Sequence, residues 1–248
     1  MKKQLMLDSM QSNHIIQSLW IGTELSPMEV LCIRSYLFHG HDFHLYVYDD
    51  TIRNIPLGTT LMNANEIIPQ SDIHIDLFGG FVNFSNQFRY TLLLKKGGWW
   101  VDMDTVCLKP FNFEDDFVFS SETSEPHNRM LVNTTYIKSL PNSKFLSDCL
   151  DFIKIRGYND IHWGELGVNL ISRMIFRNNL ERFIKLPVAF CPVSIYKLSY
   201  LISNTNYQIS SSTYAIHWWH EMWKVYEIDK YGTLANESIF EKLKIKYL

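Results

Sequence analysis

Residues 84–111 read FSNQFRYTLLLKKGGWWVDMDTVCLKPF, and this stretch decides the fold. Its spacing predicts a helix from about Asn86 to Lys96, with Ser85 as the N-cap whose hydroxyl accepts a free N–H of the first turn. Apolar residues cover nearly every face, so the helix is expected to be buried. Lys95 and Lys96 suit the negative end of the helix dipole, and Gly97-Gly98 end the helix. Trp99 to Asp102 then reads as a short strand and Val106 to Leu108 as another, stopped by Pro110. Asp102 and Asp104 therefore stand at a strand end. Open α/β sheets bind ligands beyond the carboxyl ends of their strands, and residues two apart on a strand point to one side. Hard oxygen donors select Mg²⁺ or Mn²⁺ over zinc. On these residues alone, two solvated loop acids are an equal reading, because a bare Asp-x-Asp carries little information.

Working outward, His14 to Ile21 (HIIQSLWI) reads as a buried strand ended by Gly22. Pro27 opens a helix to about Phe38, and His44 to Tyr48 is the next strand. A strand–helix–strand start points to an α/β fold on a parallel sheet. Downstream, Phe117 to Ser120, Met130 to Val132, Ala189 to Cys191 and Tyr214 to Trp218 read as short strands. Ser143 to Ile155, Leu166 to Asn178 and the tail from about Asn236 read as helices. No repeat or low-complexity linker breaks the 248 residues, and one domain is expected.

Composition narrows the function. The formal net charge is -3, with 46% hydrophobic and 20% charged residues, and nucleic-acid binders carry a basic excess instead. The four cysteines, Cys32, Cys107, Cys149 and Cys191, include no C-x-x-C pair, which argues against a zinc site and a dense disulfide framework. A reduced, cytoplasmic setting is expected. Met1-Lys2-Lys3 opens like a signal peptide, but Asp8 interrupts the apolar stretch, so no signal is expected. No run approaches the ~18 apolar residues of a spanning helix. His39, His41 and His44 form no coherent ligand geometry and read as surface residues. Lys242, Lys244 and Tyr247 are candidates for peripheral contact with the inner face of a membrane, against the commoner reading of a solvated basic face.

The central block resembles that of the DXD-motif, sugar-binding-region glycosyltransferases. That group includes yeast outer-chain mannosyltransferases, the catalytic domain of the large clostridial glucosylating toxins, and many bacterial capsule and lipopolysaccharide enzymes. The family pattern is S-D-x-x-R, a Leu-rich helix, G-G-x-[YW]-x-D-x-D and L-K-P. Here it is Ser85, Asn86, Arg89, Gly97-Gly98, Trp100, Asp102, Asp104 and Leu108-Lys109-Pro110. Leu19-Trp20-Ile21-Gly22 resembles the W-I-G turn at the end of the family's first strand. Tyr214-Ala215-Ile216-His217-Trp218-Trp219 resembles its A-I-H-x-W segment, and His162-Trp163-Gly164-Glu165-Leu166-Gly167 a W-G-E-x-G-P segment with Val168 in place of proline.

The resemblance implies a single GT-A type, Rossmann-like α/β domain with a mixed, mostly parallel central sheet. The nucleotide-binding part would span about 14–110 and the acceptor side about 111–248. It implies a retaining, metal-dependent hexosyltransferase. Asp102, Asp104 and His217 would hold Mn²⁺ or Mg²⁺, and Arg89 would join the two aspartates in catalysis. Trp20, Ile21, Gly22, Ser85, Asn86, Arg89, Asp102, Asn133, Glu165 and Trp219 would bind the nucleotide-sugar, a UDP-hexose in preference. The acceptor implied is a glycan or lipid-linked oligosaccharide of a lipopolysaccharide or capsule, or a protein as in the toxins. Asn86 departs from the family's Asp, keeping one acceptor and adding a donor. That change motivates a second reading, a non-catalytic domain that binds nucleotide-sugars or glycans. A third is a phosphatase with Asp102-Met103-Asp104-Thr105-Val106 as its D-x-D-x-[TV] motif, although that motif belongs on a first strand.

Overall fold

The computed structural model describes residues 14–248 except 78, 126 and 205. The signal-peptide reading of the first residues lies outside the described ones.

The chain begins with β1 (Ile15–Trp20), α1 (Pro27–Phe38), β2 (Asp42–Val47) and β3 (Thr59–Asn63). Ser26 caps α1 in a capping box with Glu29, and Pro27 sits at its first turn. Next come α2 (Val82–Lys96), β4 (Gly98–Val101), β5 (Thr105–Cys107), β6 (Val118–Ser124) and β7 (Arg129–Ser139). After α3 (Lys144–Arg156) and α4 (Leu170–Arg177), β8 (Ala215–His217), α5 (His220–Val225) and α6 (Ile239–Tyr247) follow.

Six strands form one sheet in the order β3-β2-β1-β4-β7-β6. β1 to β4 are mutually parallel, and β7 runs against both β4 and β6. The expected mixed, mostly parallel sheet is thus present. A separate antiparallel pair joins β5 to β8.

The sheet is buried on both faces. Successive residues of a strand face opposite ways: Trp99 joins one core cluster with α1 residues such as Leu31 and Ile33. Trp100 joins the other with α2 residues such as Phe88 and Leu92. Burying such side chains contributes roughly 1.5–3 kcal/mol each, so the pair of tryptophans pins β4 between the layers.

Several elements differ from the sequence expectation, among them α5, which no reading placed, and α4, whose regular part starts only at Leu170. α2 starts a turn earlier, because the Asp76 carboxylate accepts the backbone N–H groups of Gly80 and Val82. Ser85 is therefore not the N-cap; Phe81 takes that position without a side-chain bond. Residues 189–191 are not a strand, since Pro187–Phe190 is a short helical turn opened by proline. β3 was not anticipated, and β7 runs for 11 residues rather than three. Polar residues interrupt its pattern, yet Asn133, Thr135, Lys138 and Ser139 are all buried.

The peripheral readings sort likewise. His41 is buried, with Nε2 accepting the Phe111 N–H, rather than lying on the surface. Tyr247 is buried against His39, and Lys244 bonds Glu241 and the Gly232 carbonyl. Lys242 is exposed and pairs with Glu237 at 3.0 Å. The four cysteines are all free and buried. Among the described residues no helix is long and apolar enough to cross a membrane.

Gly97 connects α2 to β4 at φ +67, and a Cβ there would stand 2.6 Å from Pro141 Cδ and 2.8 Å from its nitrogen. Both the left-handed backbone and the clash oppose a side chain. Gly97→Ala is expected to cost about 2–4 kcal/mol, read as a fall in Tm of roughly 5–10 °C in a thermal melt.

Candidate active site

The carboxyl ends of β1 to β4 share one edge of the sheet, and a cavity of about 820 Å³ opens there. Beyond β4 the ladder continues one step, with the Asp102 N–H donating to the Thr135 carbonyl at 3.0 Å. The chain then turns, and Asp104 enters the two-stranded sheet. The β5–β8 register sets Thr105 opposite His217, and the Trp218 N–H donates to the Asp104 carbonyl at 2.8 Å. This pairing brings His217 from 113 residues away onto Asp104.

One ligand atom from each of Asp102, Asp104 and His217 lies within 4.8 Å of the others. Asp102 Oδ1 accepts from Trp100 Nε1 and from Arg89 Nη1, both at 2.9 Å. Asp104 Oδ2 accepts from His217 Nε2 at 3.1 Å and from the His220 N–H at 2.8 Å. The second oxygen of each carboxylate has no hydrogen-bond donor among the described residues. Two carboxylate oxygens and an imidazole are a donor set that fits Mn²⁺ or Mg²⁺.

Electrostatics separates the two acids. Burial pushes Asp102 up, against the pull of Arg89. Burial also works on Asp104, but His217 and the His220 N–H outweigh it and hold that carboxyl well below its usual range. For His217, burial lowers and Asp104 raises, and the carboxylate wins. Trp219 adopts φ 58, a strained backbone for a bulky residue. Its ring lies 4.0 Å from that of His217, and its Nε1 donates to the Val193 carbonyl.

The first turns of α2 supply the opposite wall. Arg89, 5% exposed, donates to Asp102, to the Thr134 carbonyl at 2.6 Å and to Ser85 Oγ at 2.9 Å. Its guanidinium also lies 4.8 Å from the Trp100 ring centroid. Arg89 thus both pairs with Asp102 and lines the cavity. Asn86 is 3% exposed and lines the cavity, and its Oδ1 has no partner. A buried acceptor without a donor costs about 1–3 kcal/mol, and such a group facing a cavity suits a ligand's hydroxyl. Gly167 makes room for it, since a Cβ there would stand 3.1 Å from Asn86 Nδ2.

Residues 30–146 match the family described as "Glycosyltransferase sugar-binding region containing DXD motif". Over that stretch, which holds Asp102 and Asp104, the chain is similar to a DXD glycosyltransferase region. The solved structure titled "PaToxG Glycosyltransferase" resembles it with a TM-score of 0.50 at 15% identity, covering 71% of this chain and 75% of that one. The likeness is one of fold, and the GT-A expectation holds. The apo-form glycosyltransferase GlyE of Streptococcus pneumoniae TIGR4 aligns with a TM-score of 0.48 at 11% identity, over 88% of this chain and 60% of that one. No curated protein matches significantly in sequence.

The other expected residues divide. Trp20 and Ile21 line the cavity, and Trp20 Nε1 donates to the Glu24 carbonyl. Gly22 stays outside the lining and acts by giving room, since a Cβ there would approach Trp20 Nε1 to 3.0 Å. Lys230 crosses the Trp20 ring at 5.5 Å while paired with Glu29. Glu165 is drawn away from the cavity. It accepts from Arg156 at 2.5 and 3.2 Å and from the His162 N–H, and is a structural brace. Trp163, two residues before it, does line the cavity and is exposed.

Asn133 lines the cavity with both ends of its amide engaged. Oδ1 accepts the Ser120 hydroxyl and, at 3.3 Å, the Thr135 N–H. Nδ2 donates to Glu122 Oε2 at 2.9 Å and to Cys191 Sγ at 3.4 Å. Sequence reasoning missed Glu122, which lies in no motif and faces the cavity only through the β6–β7 pairing.

Proposed function

We propose that this glycosyltransferase moves a hexosyl group from a nucleotide-sugar, a UDP-hexose in preference, to a hydroxyl of a surface glycan such as a lipid-linked lipopolysaccharide or capsule intermediate. The observation that carries the reading is the meeting of Asp102, Asp104 and His217 in a cavity walled by Trp20 and Asn86. Asp102, Asp104 and His217 would hold the divalent cation. Bound there, such an ion supplies Lewis-acid stabilisation to charge developing on the leaving diphosphate. Residues 14–110 provide the nucleotide side and residues 111–248 the acceptor side, with His217 crossing over to complete the cluster.

The chain's own groups divide the remaining work. Trp20 offers an indole face to a flat heterocycle. Arg89 orients Asp102 and holds α2 against β7. The free Oδ1 of Asn86 accepts a sugar hydroxyl, so the change from the family's Asp leaves an acceptor in place, weaker than a charged one. Asn86, Arg89 and Asn133 line the cavity from buried positions, where polar contacts are stronger than in water. Retention of the anomeric configuration follows from the family resemblance. A front-face reaction guided by the leaving phosphate fits it, with the acceptor hydroxyl entering on the leaving group's side as the glycosidic bond to phosphate breaks.

The test is a donor screen with UDP- and GDP-sugars, in Mn²⁺ and in chelator, reading released nucleoside diphosphate. Metal-dependent turnover of one donor is the expected result. Metal-dependent nucleotide binding without turnover of any donor would leave the non-catalytic reading standing instead.

A further inference from the structure

Glu122 sits near the carboxyl end of β6, opposite Leu131 of β7, and faces the cavity. Its Oε2 accepts the Asn133 amide at 2.9 Å, and its other oxygen has no donor among the described residues. No lysine or arginine pairs with it there either. The orientation is enforced: the Thr135 N–H and the Ser120 hydroxyl claim the amide oxygen of Asn133, leaving only Nδ2 for the carboxylate. Burial pushes the Glu122 pKa up, against the pull of Asn133 and His217. A carboxylate taken partly out of water with one neutral partner is a cost to the fold, and such groups cluster at functional sites.

Its place on the sheet says what it meets. The order β1-β4-β7-β6 puts Trp20 one strand to one side of Asp102, and Glu122 two strands to the other. At about 4.8 Å per strand, Glu122's strand lies roughly 10 Å beyond that of Asp102, away from Trp20. A nucleotide-sugar with its base on Trp20 and its diphosphate at Asp102 and Asp104 carries its sugar toward β7 and β6. A carboxylate repels the diphosphate and accepts hydrogen bonds from hydroxyls.

We infer that Glu122, held in place by Asn133, is a specificity-determining residue that accepts hydrogen bonds from sugar hydroxyls at the transfer site. This rests on the transferase reading. The hydroxyls belong either to the transferred hexose or to the acceptor, and two arms of one experiment separate these sources.

The variants are Glu122→Gln, which keeps shape and one acceptor, and Glu122→Ala. In Mn²⁺, calorimetric titration compares UDP with UDP-glucose, UDP-galactose and UDP-N-acetylglucosamine. Donor hydrolysis is compared with transfer to p-nitrophenyl hexosides. UDP affinity is expected to stay within twofold. If the transferred hexose is the source, nucleotide-sugar affinity falls about tenfold; if the acceptor is, hydrolysis persists while transfer falls about tenfold. Thermal melts without ligand should show Glu122→Gln at or above the wild-type Tm. A drop beyond about 5 °C would overturn the inference, since the carboxylate would then be a structural brace for Asn133. Unchanged sugar affinity together with unchanged transfer would overturn it as well. Wild-type protein that binds UDP but shows no effect of the substitutions sinks the role of Glu122 alone. Wild-type protein that binds no nucleotide sinks the transferase reading beneath it.

Discussion

Replacing Asp104 by asparagine is expected to abolish metal-dependent release of nucleoside diphosphate, with kcat/KM falling on the order of 10³-fold or more, while the fold survives. The reasoning separates two jobs of one side chain. Asp104 Oδ2 accepts the His220 N–H at the start of α5 and the His217 Nε2–H. Its other oxygen is free for a cation. Asparagine keeps one oxygen for the helix and loses the charge the cation needs, and removing one preorganised electrostatic contribution typically costs about 10²–10³ in rate. Loss of a metal ligand adds to that. Asp104→Ala removes both jobs, so it should also lower the Tm by several degrees. Mn²⁺ titration by calorimetry and nucleotide-release assays on both variants make the check. An asparagine variant that turned over within tenfold of wild type would move the cation elsewhere.

Replacing Arg89 by alanine is expected to be the most destabilising single change at the site. Arg89 is 5% exposed and spans three elements: Ser85 on its own helix, the Thr134 carbonyl of β7, and Asp102 after β4. Truncation strands the Asp102 charge, itself mostly buried, and leaves the Thr134 carbonyl without this donor. Breaking a buried pair by removing one partner costs about 3–5 kcal/mol. For a chain of this length that is a fall in Tm of roughly 6–20 °C. Arg89→Lys should recover only part of it, because an ammonium on one stem cannot reproduce the planar fork that serves Asp102 and Ser85 together. Thermal melts order the three proteins. A Lys variant as stable as wild type would mean that charge alone holds the site. The contrast with Glu122→Gln is instructive: two charged residues in one cavity are expected to shift stability in opposite directions, since one is paired and the other is not.

Much of this was legible in the chain. The block from Ser85 to Pro110 carries its own punctuation: an apolar helix, a Gly-Gly stop and a strand ending in two acids. Local propensities and short-range periodicity encode such features directly, so α1, β1, β4 and the C-terminal end of α2 fell close to their expected limits. Gly97 illustrates the link, since the position where sequence signals a stop is the one where a side chain has no room. The acidic pair and Arg89 were recognisable for the same reason, being close in sequence as well as in space.

What the chain concealed depends on non-local pairing. β7 looked like a three-residue strand because Asn133, Thr134 and Thr135 break its apolar pattern, and they are polar because they border the cavity. Ser85 looked like a cap because its sequence context is capping-like, yet Asp76 starts the helix a turn earlier. Glu165 sits in a motif-like segment but is drawn off by Arg156, whereas Glu122 sits in none and faces the cavity.

By itself, then, the amino-acid order determined the α/β class, the buried helix and the delivery of Asp102 and Asp104 to a strand end, because hydrophobic period and glycine punctuation act over a few residues. Only the tertiary structure decided that His217 pairs with Asp104, that Asn86 keeps a free acceptor, and that Glu122 stands across the sheet from Trp20. Those facts follow from strand order and register, which are set by burying both faces of the sheet at once, and no local stretch of the chain records them.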